Sequence, residues 1–159
     1  MRLTTRTNLA VRVLMSCAVN GDRRVTTAEI ARACNSSTHH VAHVVQKLQA
    51  NGIVETLRGR AGGLQLGLPV DRISIGTVVR LFEADIPPAE CFDAESNTCP
   101  LVEACRLRTY ILRALEAFYH ELDMVTLDDL VRGNCGLGEL LSMRPAPPPG
   151  CASGLAGIN

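Results

Sequence analysis

The stretch Val25–Gly67, "VTTAEIARACNSSTHHVAHVVQKLQANGIVETLRGRAGGLQLG", decides the fold. Thr26 is followed three residues later by Glu29, a capping box that opens a short helix. After "CNSS", Ser36 or Ser37 can cap a second helix, in which Val41, Val44, Val45 and Leu48 form one apolar stripe and Asn51-Gly52 is a stop signal. The opposite face carries Thr38, His39, His40, His43, Gln46 and Lys47, all able to hydrogen-bond. A short helix, a turn and then an amphipathic helix with a polar outer face is a helix-turn-helix, whose second helix enters the major groove. "IVETLR" and "LQLGL" then alternate like short strands around "GRAGG", which carries Arg58 and Arg60 at its tip. A β-hairpin tipped with arginines directly after such a helix reads as a wing, suited to phosphates or a narrow minor groove. The spacing of His39 and His43 alone is a weak metal signal, with no carboxylate or thiolate beside it.

Outward from this stretch, "NLAVRVLMSCAVN" places Leu9, Ala10, Val13, Leu14 and Cys17 on one helical face, where Cys17 reads as a small buried hydrophobe. "ISIGTVVRLFE" repeats the spacing with Ile75, Val78, Val79 and Phe82. The chain turns irregular from Asp85 to Pro100, and a long helix is expected from Leu101 to Asp123 with Leu107, Ile111, Ala114, Leu115, Phe118 and Leu122 on one side. Such a side needs something to pack on, and a second copy of the chain is the simplest answer. "TLDDLV" and "LGELL" look like further helical turns. The fold class is therefore mainly α: a winged helix-turn-helix (1–84), a loop (85–100), a dimerisation helix with packing helices (101–143) and a Pro/Gly/Ala-rich tail (144–159) expected to be disordered.

The chain has 159 residues and a formal charge of zero, but residues 1–70 carry nine Arg and Lys against three Asp and Glu, and residues 71–159 seven against thirteen. A basic first half is what a polyanion binder needs. With no export signal and no long apolar run, the protein is expected to be soluble, cytoplasmic and free of membrane contact. No nucleophile elbow, phosphate loop or pair of catalytic carboxylates is present, so no enzyme is expected. The seven cysteines are an odd number and cannot all pair within one molecule. In a reducing compartment, clustered cysteines bind metal or do redox chemistry more often than they form disulfides.

Three of them lie in "CFDAESNTCPLVEAC", as Cys91-x7-Cys99-x5-Cys105. This spacing fits neither a zinc ribbon nor a bacterial ferredoxin. Three readings stay open: an iron–sulfur cluster with one exchangeable position, a structural zinc completed by His120 or Cys135, and three unrelated thiols.

The opening "MRLTTRTNLAVR", the wing "ETLRGRAGGLQLG", "ISIGTVVRLFE", the cysteine loop through "ACRL" and the late "LDDLV" together resemble the Rrf2 family of winged-helix iron–sulfur regulators, from Met1 to about Met143. Two branches are the most similar. "HHVAHVVQKL", "ACRL" and "AFYHELDMVTLDDLV" point to the nitric-oxide-sensing repressor NsrR; the cysteine spacing, "AECF", "CPLVEAC" and "TNLAVR" point to the iron-responsive repressor RirA. The resemblance implies a homodimer that represses promoters while a cluster, expected as [4Fe–4S], is held by Cys91, Cys99 and Cys105, and that releases DNA when nitric oxide or iron loss destroys it. The NsrR branch takes its fourth ligand across the dimer from an aspartate near the start of the first helix, where this chain has Asn8; another branch uses a histidine where this chain has Arg108. The DNA is expected to be a pseudo-palindromic double-stranded promoter. Thr27, Ser37, Thr38, His39, His40, His43 and Lys47 would contact it from the helix-turn-helix, and Arg58 and Arg60 from the wing.

Overall fold

A computed structural model describes residues 3–21, 23–59 and 62–141. Helix α1 (Thr5–Val19) starts where the Thr4 hydroxyl accepts the Thr7 N–H, and it buries Leu9, Ala10, Val13, Leu14 and Cys17. Helix α2 (Thr27–Ala33) opens on the expected capping box: Thr26 Oγ1 accepts the Glu29 N–H, and Glu29 Oε2 accepts the Thr26 N–H. That backbone bond holds the Glu29 carboxyl below its ordinary range; burial opposes the shift, and the Thr26 hydroxyl and Arg23 add to it. Asn35 then turns the chain with a φ of +49°, the one non-glycine residue with positive φ among those described. Asparagine tolerates this region better than most residues. Ser37 caps α3 (Thr38–Ala50) by accepting the His40 N–H, and the Val41, Val44, Val45, Leu48 stripe is buried as its period requires.

Strand β1 (Val54–Leu57) pairs antiparallel with β2 (Gly63–Leu66), with Val54 opposite Leu66 and Leu57 opposite Gly63. The hairpin is tied to the helical head because Val25 and Leu64 exchange both backbone hydrogen bonds, at 2.9 and 2.7 Å. Gly63 permits that approach: its φ is +152°, and a Cβ there would sit 2.9 Å from the Val25 carbonyl oxygen. Helix α4 (Ile75–Glu83), capped by Ser74, buries Ile75, Val78, Val79 and Phe82 against α1 and completes the head. The order of elements is that of a winged helix-turn-helix.

The long helix α5 spans Arg106–Asp123, five residues shorter at its start than the sequence pattern predicts. Val102–Ala104 forms a 3-10 turn instead, and Cys105 takes the N-cap position of α5 with an extended ψ of 104° and no side-chain cap bond. The extended backbone at Cys105 interrupts the helical run, so the regular helix starts only after it. The chain returns through α6 (Leu127–Val131), capped by a second box between Thr126 and Asp129, and α7 (Cys135–Leu141), which lies on α1.

Helix α5 docks on α4 by its C-terminal half. Asp123 receives both guanidinium nitrogens of Arg80, with Nη2 to Oδ2 at 2.7 Å, and the same guanidinium lies 4.7 Å from the Tyr119 ring centroid. The Arg80 hydrogen bonds hold the Asp123 carboxyl below its ordinary range, against a smaller cost of desolvation. None of α5 is fully buried: Ile111, Leu115, Phe118, Tyr119 and Leu122 are half-buried, while Leu107 and Tyr110 stay 65% and 63% exposed. An apolar helix left this open still has surface to cover. Met143 and the tail 144–159, expected to be disordered, lie outside the described residues.

Candidate functional site

Two features of the fold carry chemistry. The first is the outer face of α3. Burying the valine stripe turns Ser37, Thr38, His39, His40, His43 and Gln46 to the outside, all of them exposed. The rings of His39 and His43 meet edge-on at 4.9 Å between centroids, and His39 and His40 lie 6.2 Å apart. Such a face presents side-chain donors and acceptors to the outside, which is what reading base edges requires. Thr27 is half-buried in the first turn of α2. Arg58 is exposed where β1 ends, and the hairpin is linked to the end of α3 by the Thr56 hydroxyl donating to Gln49 Oε1 at 2.9 Å. Arg60 lies outside the described residues.

Lys47 is placed differently from the rest of that face. It is half-buried, with Nζ 3.4 Å from Asp85 Oδ2 and 5.5 Å from the Phe82 ring centroid. A cleft of about 840 Å³ opens here between α3, the start of α1 and the end of α4, and Arg6, His43, Gln46, Lys47 and Asp85 are among its lining residues. Sequence reasoning overlooked Arg6 and Asp85. Arg6 could have been found from the charge excess of the first half, but nothing local marks Asp85.

The second feature is the cysteine loop. Cys91 sits in a 3-10 turn (Glu90–Phe92), Cys99 directly precedes Pro100, and Cys105 sits at the N-cap position of α5; all three are free and half-buried. The loop is internally braced. Ser96 Oγ and the Glu95 N–H donate to Asp93, and they hold its carboxyl below the ordinary range. Glu90 Oε1 accepts both the N–H and the hydroxyl of Thr98, and Asn97 Oδ1 accepts the Cys99 N–H. From α5, Arg108 Nε donates to the Cys91 carbonyl at 3.2 Å while its guanidinium lies 5.1 Å from the Phe92 ring centroid.

Three soft thiol donors in one loop fit iron–sulfur or zinc chemistry. Among the described residues, however, no three His, Cys, Asp or Glu side chains converge closely enough to hold an ion. The fold brings the thiols into one loop and stops short of gathering them. Thiolates repel one another, so their final approach is work that a bound metal does.

Two other cysteines are unsuited to the task. Cys17 and Cys34 are buried in the head, and burial pushes the Cys17 thiol up to about 12, so it stays protonated. Asn8 is exposed on α1, but its Oδ1 accepts Arg12 Nε at 2.9 Å, and Arg12 Nη1 donates to the Cys34 carbonyl at 2.6 Å. This links the start of α1 to the turn that precedes α3.

Comparison with known proteins adds three findings. Residues 3–133 match the Rrf2 family, described as an iron-dependent transcriptional regulator. The HTH-type transcriptional repressor NsrR of Streptomyces coelicolor is 45% identical over 139 residues, which are 86% of this chain and 92% of that protein, and Protein aau3 of Rhizobium meliloti is 42% identical over 149 residues, 94% and 97% of the two chains. Among solved structures, the oxidized form of Staphylococcus aureus CymR superposes with a TM-score of 0.66 at 25% identity, covering 83% of this chain and 97% of that one. Among the described residues, no helix is long and apolar enough to cross a membrane.

Proposed function

The chain belongs to the Rrf2 family of iron-dependent transcriptional regulators, and from that premise we propose that it is a cytoplasmic, homodimeric repressor that senses nitric oxide through an iron–sulfur cluster. It is a DNA-binding winged-helix regulator and not an enzyme. The observation that carries the sensing reading is the loop: three free, half-buried thiols within fifteen residues, on the segment that joins the winged head to α5. The identity with the repressor NsrR over most of both chains supports it.

Cys91, Cys99 and Cys105 would hold the cluster, expected as [4Fe–4S]. When bound, the cluster would supply an iron whose fourth position is weakly filled and therefore open to a small reactive molecule. Asn8 of the partner subunit could occupy that position, but a neutral amide oxygen is a poorer iron ligand than a carboxylate, and Arg12 already competes for it. The exposed apolar residues of α5 would pack on the same helix of a second copy, and their exposure supports the dimer. Two recognition helices then read a pseudo-palindrome whose half-site centres lie roughly 34–36 Å apart. Ser37, Thr38, His39, His40 and His43 face the major groove, with Thr27 and Lys47 at its margin and Arg58 and Arg60 on the wing. Because the loop connects head to dimer helix, its conformation sets the spacing of the two heads. A coupling of about 1–3 kcal/mol between loop and DNA weakens binding by about five- to a hundredfold.

The test is a visible absorption spectrum of anaerobically purified protein, followed by nitric oxide titration with DNA binding monitored. Absorbance in the visible range together with DNA release after a few equivalents is the expected result. DNA binding that tolerates nitric oxide and fails on iron chelation would replace this reading with the iron-responsive one, which the cysteine spacing favours. A colourless, zinc-loaded protein would overturn both and leave a zinc-stabilised regulator.

The wing makes a separate prediction. Arg58→Ala weakens binding to every duplex, specific or random, and lowers the salt dependence by about one phosphate contact per protomer while iron content stays unchanged. A drop in iron content would mean that Arg58 serves the loop rather than the DNA.

A further inference from the structure

We propose that Asp85, the first residue of the cysteine loop, is an electrostatic latch: in the conformation described here it withholds Lys47 of α3 from DNA phosphate. The inference rests on α3 facing DNA and adds to that reading a residue through which the loop acts on it. Lys47 Nζ lies 3.4 Å from Asp85 Oδ2, and its ammonium is steadied over the buried Phe82 ring at 5.5 Å. Asp85 is the one carboxylate among the lining residues of a cleft that also presents Arg6, His43 and Gln46. Without Asp85 the cleft would be a basic margin beside the recognition face. With it, Lys47 is neutralised at the place where a phosphate would approach.

The latch stands on a fixed stem. The preceding turn is held to α1, because Glu83 Oε1 accepts the Thr4 N–H at 2.8 Å and the Thr7 hydroxyl as well. The Ala84 N–H donates to the Arg80 carbonyl at 2.9 Å and the Ile86 N–H to the Glu83 carbonyl at 3.0 Å, so the backbone on both sides of Asp85 is tied. Downstream, Pro87 and Pro88 form a stiff connection to Cys91. The two prolines leave less slack between Asp85 and the cysteines than an ordinary loop would. The side chains of Lys47 and Asp85 are 39% and 84% exposed, so the pair is screened by salt and its effect is greatest at low ionic strength.

Because a lysine–phosphate contact is independent of base sequence, a random-sequence duplex serves as the probe. Full-length protein is stripped of metal with a chelator and binding is measured at several salt concentrations. Asp85→Asn should bind about three- to tenfold more tightly than the unchanged protein at low salt, with a salt dependence steeper by about one phosphate per protomer. In a Lys47→Gln background the gain should vanish. Equal affinity of Asp85→Asn and the unchanged protein would overturn the latch, and so would a gain that survives undiminished without Lys47. His40→Asp checks the premise independently: a negative charge on the outer face of α3 weakens binding to the same duplex if α3 faces DNA, whatever Asp85 does. A null result at His40 therefore overturns the orientation of α3, and a null result at Asp85 alone overturns only the latch.

Discussion

Cys99→Ala protein will purify without visible absorbance, its iron at background, while it still runs as a dimer and keeps its helical content. Cys99 lies between a turn braced by Glu90 and Asn97 and the 3-10 turn that leads to Cys105. Among the described residues, the remaining free cysteines are Cys17 and Cys34, which are buried in the winged head, and Cys17 is held protonated by its surroundings. Two thiolates cannot hold a cluster against water, so the loss of iron should be complete rather than graded. DNA affinity should then equal that of the chelator-stripped unchanged protein and should no longer respond to nitric oxide, a loss of about five- to a hundredfold against the loaded form. Dimerisation is spared because the exposed apolar residues of α5 lie outside the loop. Iron retained at the unchanged protein's stoichiometry would sink the three-thiolate site.

Gly76→Ala will destabilise the protein by about 3 kcal/mol, seen as a lower urea midpoint. Gly76 lies in the first turn of α4, where the C-terminal end of α5 crosses it. A Cβ added there would stand 2.6 Å from the Asp123 backbone nitrogen and 2.9 Å from its Cα, and closer still to the Asp123 carboxylate. The obstacle is mostly backbone, so no side-chain rotation relieves it, and α5 must shift away from α4. The same shift pulls Asp123 off Arg80 and disturbs the two backbone bonds that follow, Ile75 N–H to Val125 O and Leu127 N–H to Ile73 O. Gly136→Ala in α7 is the control. Nothing lies within 4 Å of a Cβ there, so helix propensity alone acts and stability should rise by up to about 1 kcal/mol. Equal effects at the two glycines would show that α4 and α5 are not in this contact.

The winged head was legible residue by residue. The stripes of α1, α3 and α4, the Thr26–Glu29 box, the stop at Asn51-Gly52 and the hairpin are signals carried within a few residues, where local hydrogen bonding and helical period decide the outcome. The polar face of α3 followed from the same arithmetic, since burying Val41, Val44, Val45 and Leu48 leaves only one direction for His39, His40 and His43. The cysteine loop was legible as a grouping of thiols along the chain.

Other features depended on how distant segments meet. No spacing rule pairs Lys47 with Asp85, 38 residues away, or Arg80 with Asp123, 43 residues away. Arg12 joining Asn8 to the Cys34 carbonyl, and Glu83 holding the start of α1, are likewise visible only once α1 lies across α4 and the turn before α3. The start of α5 at Arg106 rather than Leu101 was also not legible, because an apolar period does not mark where a helix begins. By itself the sequence determined the elements and the face that α3 shows, because those depend on contacts a turn or two away. The tertiary structure alone decided which charges meet and how the loop is anchored to the head, because those distances are set by packing and not by the chain's local order.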